Sequence, residues 1–187
     1  MSNVSGKLIA KPAIILLLIA GIAAGILGVV DSVTSGPIAY QNELATKNAL
    51  AAVFPEGADF QPIEVEAGAA AASAYTAVDA GGNTLGYVVE VLPSGFAGAI
   101  DLMVGVDTTG AVTGISVLSM AESPGLGARC TEDWFVAQFA GQTSPVAVTK
   151  DGGSIESITS ATITSRAIAN GVTAACDWAT AYAGGAN

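Results

Sequence analysis

The sequence predicts an α+β domain, a mainly antiparallel twisted sheet with packed helices, preceded by one N-terminal transmembrane helix. Three observations lead there. Residues 12–30 run without a charge and are rich in Ile, Leu, Ala and Gly. Two segments of period-two hydrophobicity flank turn-forming residues in the middle of the chain. An apolar stripe at helical spacing closes it.

The uncharged run, as a helix rising about 1.5 Å per residue, would cover roughly 28 Å, the thickness of a bilayer core. It is longer than the roughly 7–15 residues of a cleaved signal's apolar region, and only the weak cleavage candidate Val33-Thr34-Ser35 follows it. Lys7 and Lys11 precede the run, Asp31 follows it, and the next positive charge is Lys47. The positive-inside bias therefore predicts a cytoplasmic segment 1–11, a single transmembrane helix 12–30 in the cell (inner) membrane, and an extracytoplasmic remainder.

Residues 31–74 read as a connecting helix and linker. Turn formers at 32–37 predict an exit segment. Leu44, Ala45, Ala49, Leu50, Ala52 and Val53 then repeat at helical spacing until Pro55-Glu56-Gly57 stops them. Residues 64–74 are open between a weak strand with a loop and a mobile connection.

The domain proper is expected over 75–187. Residues 75–78 and 85–91 alternate around Asp79-Ala80-Gly81-Gly82-Asn83, and 100–106 and 112–118 do the same around Asp107-Thr108-Thr109-Gly110, giving two hairpins. Residues 131–140 predict a short helix with Glu132 and Asp133 at its start, where the helix dipole favours acidic groups. Residues 146–148 predict a further strand. Residues 164–183 predict the closing helix, with Ala167, Ile168, Gly171, Val172, Ala175, Trp178 and Ala179 as its apolar face. Trp134, Phe135, Phe139 and Trp178 read as core, and Tyr87 and Phe96 likewise as non-site residues.

All 16 acidic residues lie from Asp31 onward, against Lys47, Arg129, Lys150 and Arg166. Such a balance excludes nucleic acid as a partner and reads as solubility for an Ala- and Gly-rich surface, or as an acidic docking face. The chain has no His, which excludes Ser-His-Asp and Cys-His catalysis and imidazole metal sites. Cys130 and Cys176 cannot supply four thiolates for a cluster; a disulfide and two buried free thiols remain open. No residue is assigned to catalysis or to a metal.

Residues 157–165, Ser-Ile-Thr-Ser-Ala-Thr-Ile-Thr-Ser, place hydroxyls where the chain enters the closing helix. Free helix-start N–H groups and the positive end of the dipole make that a candidate anion site, with Arg166 one residue on. The alternative is ordinary hydroxyl capping of the helix. Glu122-Ser123-Pro124-Gly125-Leu126-Gly127 has a Pro that presets a turn and glycines that permit close approach to a flat ligand, or is simply a loop.

Beyond those physical readings, the run from Glu156 to Thr162 resembles the motif that bacterial flavin transferases recognise: an acidic residue, two spacers, Thr or Ser, Gly, Ala and the Thr that receives FMN through a phosphoester. Gly86-Tyr87-Val88-Val89-Glu90-Val91 with Gly95-Phe96-Ala97-Gly98-Ala99-Ile100, Met103-Val104-Gly105-Val106-Asp107 with Gly114-Ile115-Ser116-Val117-Leu118, and the Glu122 to Gly127 loop stand in the same order as in the FMN-binding-domain family. That family is shared by the G subunit of the Rnf ferredoxin:NAD oxidoreductase complex and the C subunit of the sodium-translocating NADH:quinone reductase, and the short chain resembles the former.

The resemblance covers about residues 75–180. It implies covalent FMN on Thr162, with Thr159, Ser160, Ala161, Thr164, Ser165 and the 122–127 loop as cofactor-binding residues. It also implies an electron-transfer subunit of an ion-translocating membrane complex, other redox subunits as partners, and a flavin transferase during maturation. Two positions depart from the family pattern: Ser160 stands where Gly is usual, and Met120 where a His is frequent, so no proton-handling His is expected beside the flavin. Two other functions stay open: a stand-alone membrane-anchored flavoprotein of an extracytoplasmic reductase or electron-export route, and a non-redox module that lost flavinylation.

Overall fold

The computed structural model describes residues 3–66 and 68–185. Residue 67, within the expected linker, and residues 1, 2, 186 and 187 at the ends of the expected terminal segments lie outside the described residues.

Helix α1 spans Asn3–Val53, with Pro12 and Pro37 inside it. The predicted exit segment at 32–37 is not a break. Its hydroxyls bond back to the helix instead of ending it: Ser32 Oγ donates to the Val29 carbonyl at 2.8 Å and Thr34 Oγ1 to that of Val30 at 2.9 Å. The side chains of Ile14, Leu17, Ile22, Leu27 and Val33 are all exposed, and the helix is long and apolar enough to cross a membrane.

The compact domain begins at Ala45 and so includes the last turns of α1. Its sheet has five strands in the order of the chain, β1 (Asp59–Ile63), β2 (Ser73–Val78), β3 (Thr84–Val91), β4 (Asp101–Asp107) and β5 (Val112–Ser119), every neighbouring pair antiparallel. Both predicted hairpins form. Asp79 Oδ1 accepts from the Gly81 and Asn83 amides at 2.7 and 2.9 Å, and Asp107 Oδ1 from those of Thr109 and Ala111 at 2.8 and 2.9 Å. The carboxylates thus satisfy the turn amides that no strand can reach. Strand β1 lies within residues 31–74, which the sequence reads as a connecting helix and linker; its Pro62 is tolerated because β1 is the sheet edge, where Pro is found.

Both faces of the sheet are covered, which is why five consecutive residues of β4 are buried. On one face Ala49, Leu50, Val53 and Phe54 pack on Ala77, Val88 and Met103. Thr113 Oγ1 donates to the Val53 carbonyl and so satisfies one orphan acceptor at the end of α1. Gly105 lies directly beneath: a Cβ there would stand 2.6 Å from the Val53 oxygen. On the other face Val89, Val91, Leu102, Val104, Val106 and Ile115 meet helix α3 (Thr162–Gly185) through Ile168, Val172, Ala175 and Ala179.

Between β5 and α3 the predicted helix at 131–140 is reduced to α2 (Asp133–Val136), flanked by 3-10 turns Gly127–Thr131 and Ala137–Phe139. Phe135 and Phe139 are buried as expected. Trp134 is not core: it is exposed, its indole N–H donates to Glu132, and the Arg129 guanidinium lies 5.6 Å from its ring. Trp178 is half-buried and stacks on Tyr182 at 5.1 Å. The predicted strand at 146–148 is a single parallel bridge, Val148 to Ile155.

Asp101, at the start of β4, has an Oδ1 that is buried without a partner. Burial first, and then the charge of Glu90 and a hydrogen bond with it, push the Asp101 carboxyl from about 3.8 up to about 6. Ser73 Oγ donates to the same Glu90. The folded chain therefore holds a proton that the unfolded chain releases near pH 4, so this group's contribution to stability declines as pH rises through about 6. Asp101→Asn is expected to raise the thermal midpoint of the detergent-solubilised chain at pH 7.5, with the gain shrinking toward pH 4. An equal gain at both pH values would contradict the assignment.

Candidate functional site

Glu122 organises the region where the β3–β4 connection, the loop after β5 and the start of α3 meet. Its side chain is only 8% exposed. Oε1 accepts from the Phe96 amide at 2.7 Å and the Ala97 amide at 3.1 Å, and Oε2 accepts from Thr164 Oγ1 at 2.8 Å. A buried carboxylate needs such donors to offset its lost hydration. The space for it comes from two glycines: a Cβ on Gly95 would overlap Oε1, and one on Gly127 would overlap Oε2 and lie 2.8 Å from Thr164 Oγ1.

The connection carrying Phe96 is a tight turn. Gly95 N–H donates to the Gly98 carbonyl at 2.7 Å, and Ser94 bridges to Ala99. Phe96 stands at its apex, 69% exposed. In the loop after β5, the Leu126 amide donates to the Ser123 carbonyl at 3.2 Å, with Pro124 and Gly125 between them and Gly125 at φ 77°. Those are the requirements of a type II turn. Leu126 follows it, 45% exposed.

Helix α3 starts at Thr162, and its Ser165 amide bonds the Ala161 carbonyl at 3.0 Å. The amides of Thr162, Ile163 and Thr164 therefore open the helix with no intrahelical acceptor. The hydroxyls here do not act as the capping reading expects. Thr164 donates to Glu122, while Ser165 Oγ accepts from the Ile158 amide at 2.9 Å and donates to the Ala161 carbonyl at 3.0 Å. Ser160 has φ 64°, the left-handed region that Gly adopts more readily than Ser.

Thr162 Oγ1 receives a hydrogen bond of 2.9 Å from Lys150 Nζ. Arg166 is turned elsewhere: its Nε and Nη2 reach the two Asp151 oxygens at 2.6 and 2.5 Å. That pairing lowers the Asp151 carboxyl below its ordinary value, first through the hydrogen bond from Arg166.

These pieces enclose a cleft of about 330 Å³ lined by Phe96, Glu122, Ser123, Leu126, Gly127 and residues 160–164. Its size lies within the roughly 300–1,000 Å³ of small-molecule sites. Three half-open apolar side chains, Phe96, Leu126 and Ile163, face it beside the Thr162 hydroxyl. The residues fit an FMN: apolar surface for a flat ring, a helix start and an ammonium for a phosphate, and a hydroxyl for a covalent bond. A larger groove of about 630 Å³, lined by residues 69–72, Leu92, Pro93 and the side of α3, has only Ser94 and Asn170 as polar side chains beside its alanines.

Of the sequence-predicted residues, Glu122, Ser123, Leu126, Gly127, Ser160, Ala161, Thr162 and Thr164 come together at the cleft. Pro124 and Gly125 shape the turn behind it. Thr159 does not line it, and Ser165 is fully buried as an internal tie. Phe96, expected to be a non-site aromatic, lines the cleft, as does Ile163. The exposure of Phe96 at the turn between Gly95 and Gly98 is a tertiary feature. Nothing in the sequence links Lys150 to Thr162 across the intervening loop.

Cys130 and Cys176 are free and buried. Burial pushes each thiol up to about 11, assisted by Glu122 for the first and by Asp177 and Asp107 for the second. Both are protonated at neutral pH and offer no thiolate chemistry.

Comparison with known proteins bears on this geometry. The chain matches the FMN-binding domain family over residues 95–177 and the RnfG N-terminal region over residues 1–53. The G subunit of the ion-translocating oxidoreductase complex of Methanosarcina acetivorans is 33% identical, over 95% of this chain and 98% of that one. The G subunit of the Na(+)-translocating ferredoxin:NAD(+) oxidoreductase complex of Acetobacterium woodii is 32% identical over 91% of each. The crystal structure of the C subunit of the Na(+)-translocating NADH-quinone reductase from Parabacteroides distasonis is 23% identical, covering 58% of this chain and 61% of that one, with a TM-score of 0.48.

Removing the Glu122 carboxylate strands two amides and a hydroxyl. Glu122→Ala is expected to destabilise the domain by about 1–3 kcal/mol and to speed hydrogen exchange at the Phe96 and Ala97 amides. Unchanged exchange at both would remove Glu122 from its organising role.

Proposed function

The chain belongs to the family of G subunits of ion-translocating oxidoreductase complexes, and we propose that it is the electron-transfer subunit of an Rnf-type ferredoxin:NAD oxidoreductase complex, carrying FMN bonded through a phosphoester to Thr162. The observation that carries this reading is the Thr162 hydroxyl at the first residue of α3, opening on a cleft with apolar side chains along it. When bound, FMN supplies redox chemistry in one- or two-electron steps, and the protein supplies position and electrostatics.

In that role Thr162 provides the covalent oxygen. The first amides of α3 and the Lys150 ammonium face the phosphate, which suits the positive end of a helix dipole. Phe96, Leu126 and Ile163 cover part of the flavin ring, and Glu122 holds the Phe96 turn and the helix start in register. A covalent bond keeps the cofactor on the protein where no pool replaces it. The left-handed Ser160 supports retention of the acceptor geometry despite the departure from Gly, which favours modification over a non-redox module. The domain itself acts as a relay between neighbouring redox centres and needs no substrate site of its own.

The helix candidate 12–30 anchors the chain in the membrane, and Lys7 and Lys11 argue for a cytoplasmic N-terminus with the flavin domain on the other side. Maturation requires a flavin transferase acting on that side.

Co-expressed with a flavin transferase, the wild-type chain should carry one FMN less one water on the peptide containing Thr162, measured by intact and peptide mass spectrometry. Thr162→Ala should lose it with the fold intact, and Ser160→Gly should be modified at least as fully as wild type. Equal covalent flavin in Thr162→Ala would overturn the acceptor assignment. Protease added to sealed right-side-out vesicles should degrade the domain; protection there, with cleavage in inverted vesicles, would reverse the orientation.

A further inference from the structure

The 3-10 turn Thr149–Asp151 runs beside the first turns of α3 and makes two side-chain links to it. Lys150 reaches Thr162 at 2.9 Å and Asp151 reaches Arg166 at 2.5 and 2.6 Å. Thr162 and Arg166 are four residues apart, so they lie one above the other on a single helix face. The turn is also fastened to the segment leading into the helix: the Thr149 amide donates to the Ile155 carbonyl at 2.8 Å, and the Asp151 and Gly153 amides donate to that of Val148 at 2.9 and 3.0 Å. Lys150 is an exposed side chain, but its backbone is held on both sides.

The charges of the two links differ. Asp151 is the acidic neighbour that would compete for Lys150, and Arg166 already occupies both of its oxygens. The ammonium is thus directed at a neutral hydroxyl, in a chain whose formal net charge is −10. An ammonium whose hydrogen-bond partner is an alcohol at the mouth of an apolar cleft is placed for an anion that forms on that alcohol.

We propose that Lys150 is a positioning residue for modification at Thr162: it holds the hydroxyl toward the incoming phosphoryl group and then serves as counter-cation to the resulting phosphodiester. The inference rests on the reading of Thr162 as the flavin acceptor. In the transfer, the Thr162 oxygen forms a bond to the phosphorus adjoining the flavin of a flavin–nucleotide pyrophosphate, and the pyrophosphate P–O bond breaks. A nucleoside monophosphate leaves, the hydroxyl proton passes to a base of the transferase, and no electrons change hands. The product diester carries one negative charge, and the Lys150 ammonium matches it.

The test uses the full chain purified in detergent from a host lacking flavin transferase, then incubated with purified transferase and flavin adenine dinucleotide. The rate of mass gain on the Thr162 peptide is the primary readout, and the phosphorus NMR shift of the loaded protein the second. Lys150→Gln should slow loading about tenfold, the loss of one charge-assisted hydrogen bond in the transition state. Lys150→Glu should slow it further, and Lys150→Arg should restore it to within about threefold.

The phosphorus shift should move in Lys150→Gln and stay near wild type in Lys150→Arg. Circular dichroism and the thermal midpoint, expected unchanged, separate this effect from misfolding. Wild-type loading rates and an unchanged phosphorus shift in both Lys150→Gln and Lys150→Glu would overturn the proposal while leaving Thr162 as acceptor. A wild-type chain that stays unmodified beside a modified control protein, or a Thr162→Ala chain that loads normally, would instead overturn the reading beneath it.

Discussion

One buried carboxylate sets the geometry on which the candidate flavin site depends. Glu122 accepts from two amides of the Phe96 turn and from the Thr164 hydroxyl, joining three chain segments far apart in sequence. An unsatisfied carboxylate at that burial would be costly, so the three donors are a condition of the arrangement. The condition extends to side-chain volume, because Gly95 and Gly127 leave the room that the carboxylate fills. With Glu122 in place, the Phe96 turn, the Leu126 turn and the first turn of α3 stand in a single register around the cleft. Both of its oxygens are engaged, which gives the acidic residue a structural role at the candidate cleft.

The rigidity of that junction comes from the layers behind it. Strand β4 is buried on both faces, between the last turns of α1 and the length of α3. Helix α3 therefore has a fixed bed in Val89, Leu102 and Val104, and its first residue is held in place although it faces the cleft. On the opposite face, Gly105 lets the end of α1 approach the sheet, and Thr113 closes the helix by taking up the Val53 carbonyl. A redox carrier benefits from such a scaffold, since a bound cofactor depends on its surroundings for orientation.

Much of the fold is legible in the sequence because it is local. The two hairpins follow from alternation and from Asp79 and Asp107, whose carboxylates need only neighbouring amides. The closing helix follows from its apolar stripe, and the hydroxyl-rich entry to it stands out by residue type alone. What the sequence does not disclose is non-local. Strand β1 exists only because β2 offers it a partner, residues 146–148 lack a second strand to extend their one bridge, and Trp134 is turned outward by Glu132 and Arg129. The expected break at 32–37 is absent because hydroxyls that end helices by capping can also bond back into them. Phe96 escapes a sequence reading because nothing in the sequence tells a packed aromatic from one at a turn apex.

The sequence by itself determined the candidate membrane helix, the antiparallel hairpins, the α3 entry with Thr162, and the exclusion of imidazole and Cys-rich metal chemistry, since these depend on residue type and short spacing. Tertiary structure decided which groups surround that hydroxyl. Burial and three distant donors made Glu122 a clamp, and the turn into α3 put Ser160 at positive φ. The pairing of Asp151 with Arg166 left Lys150 directed at Thr162. Each of these is a relation between side chains separated along the chain, and such relations exist only after the sheet and α3 have packed.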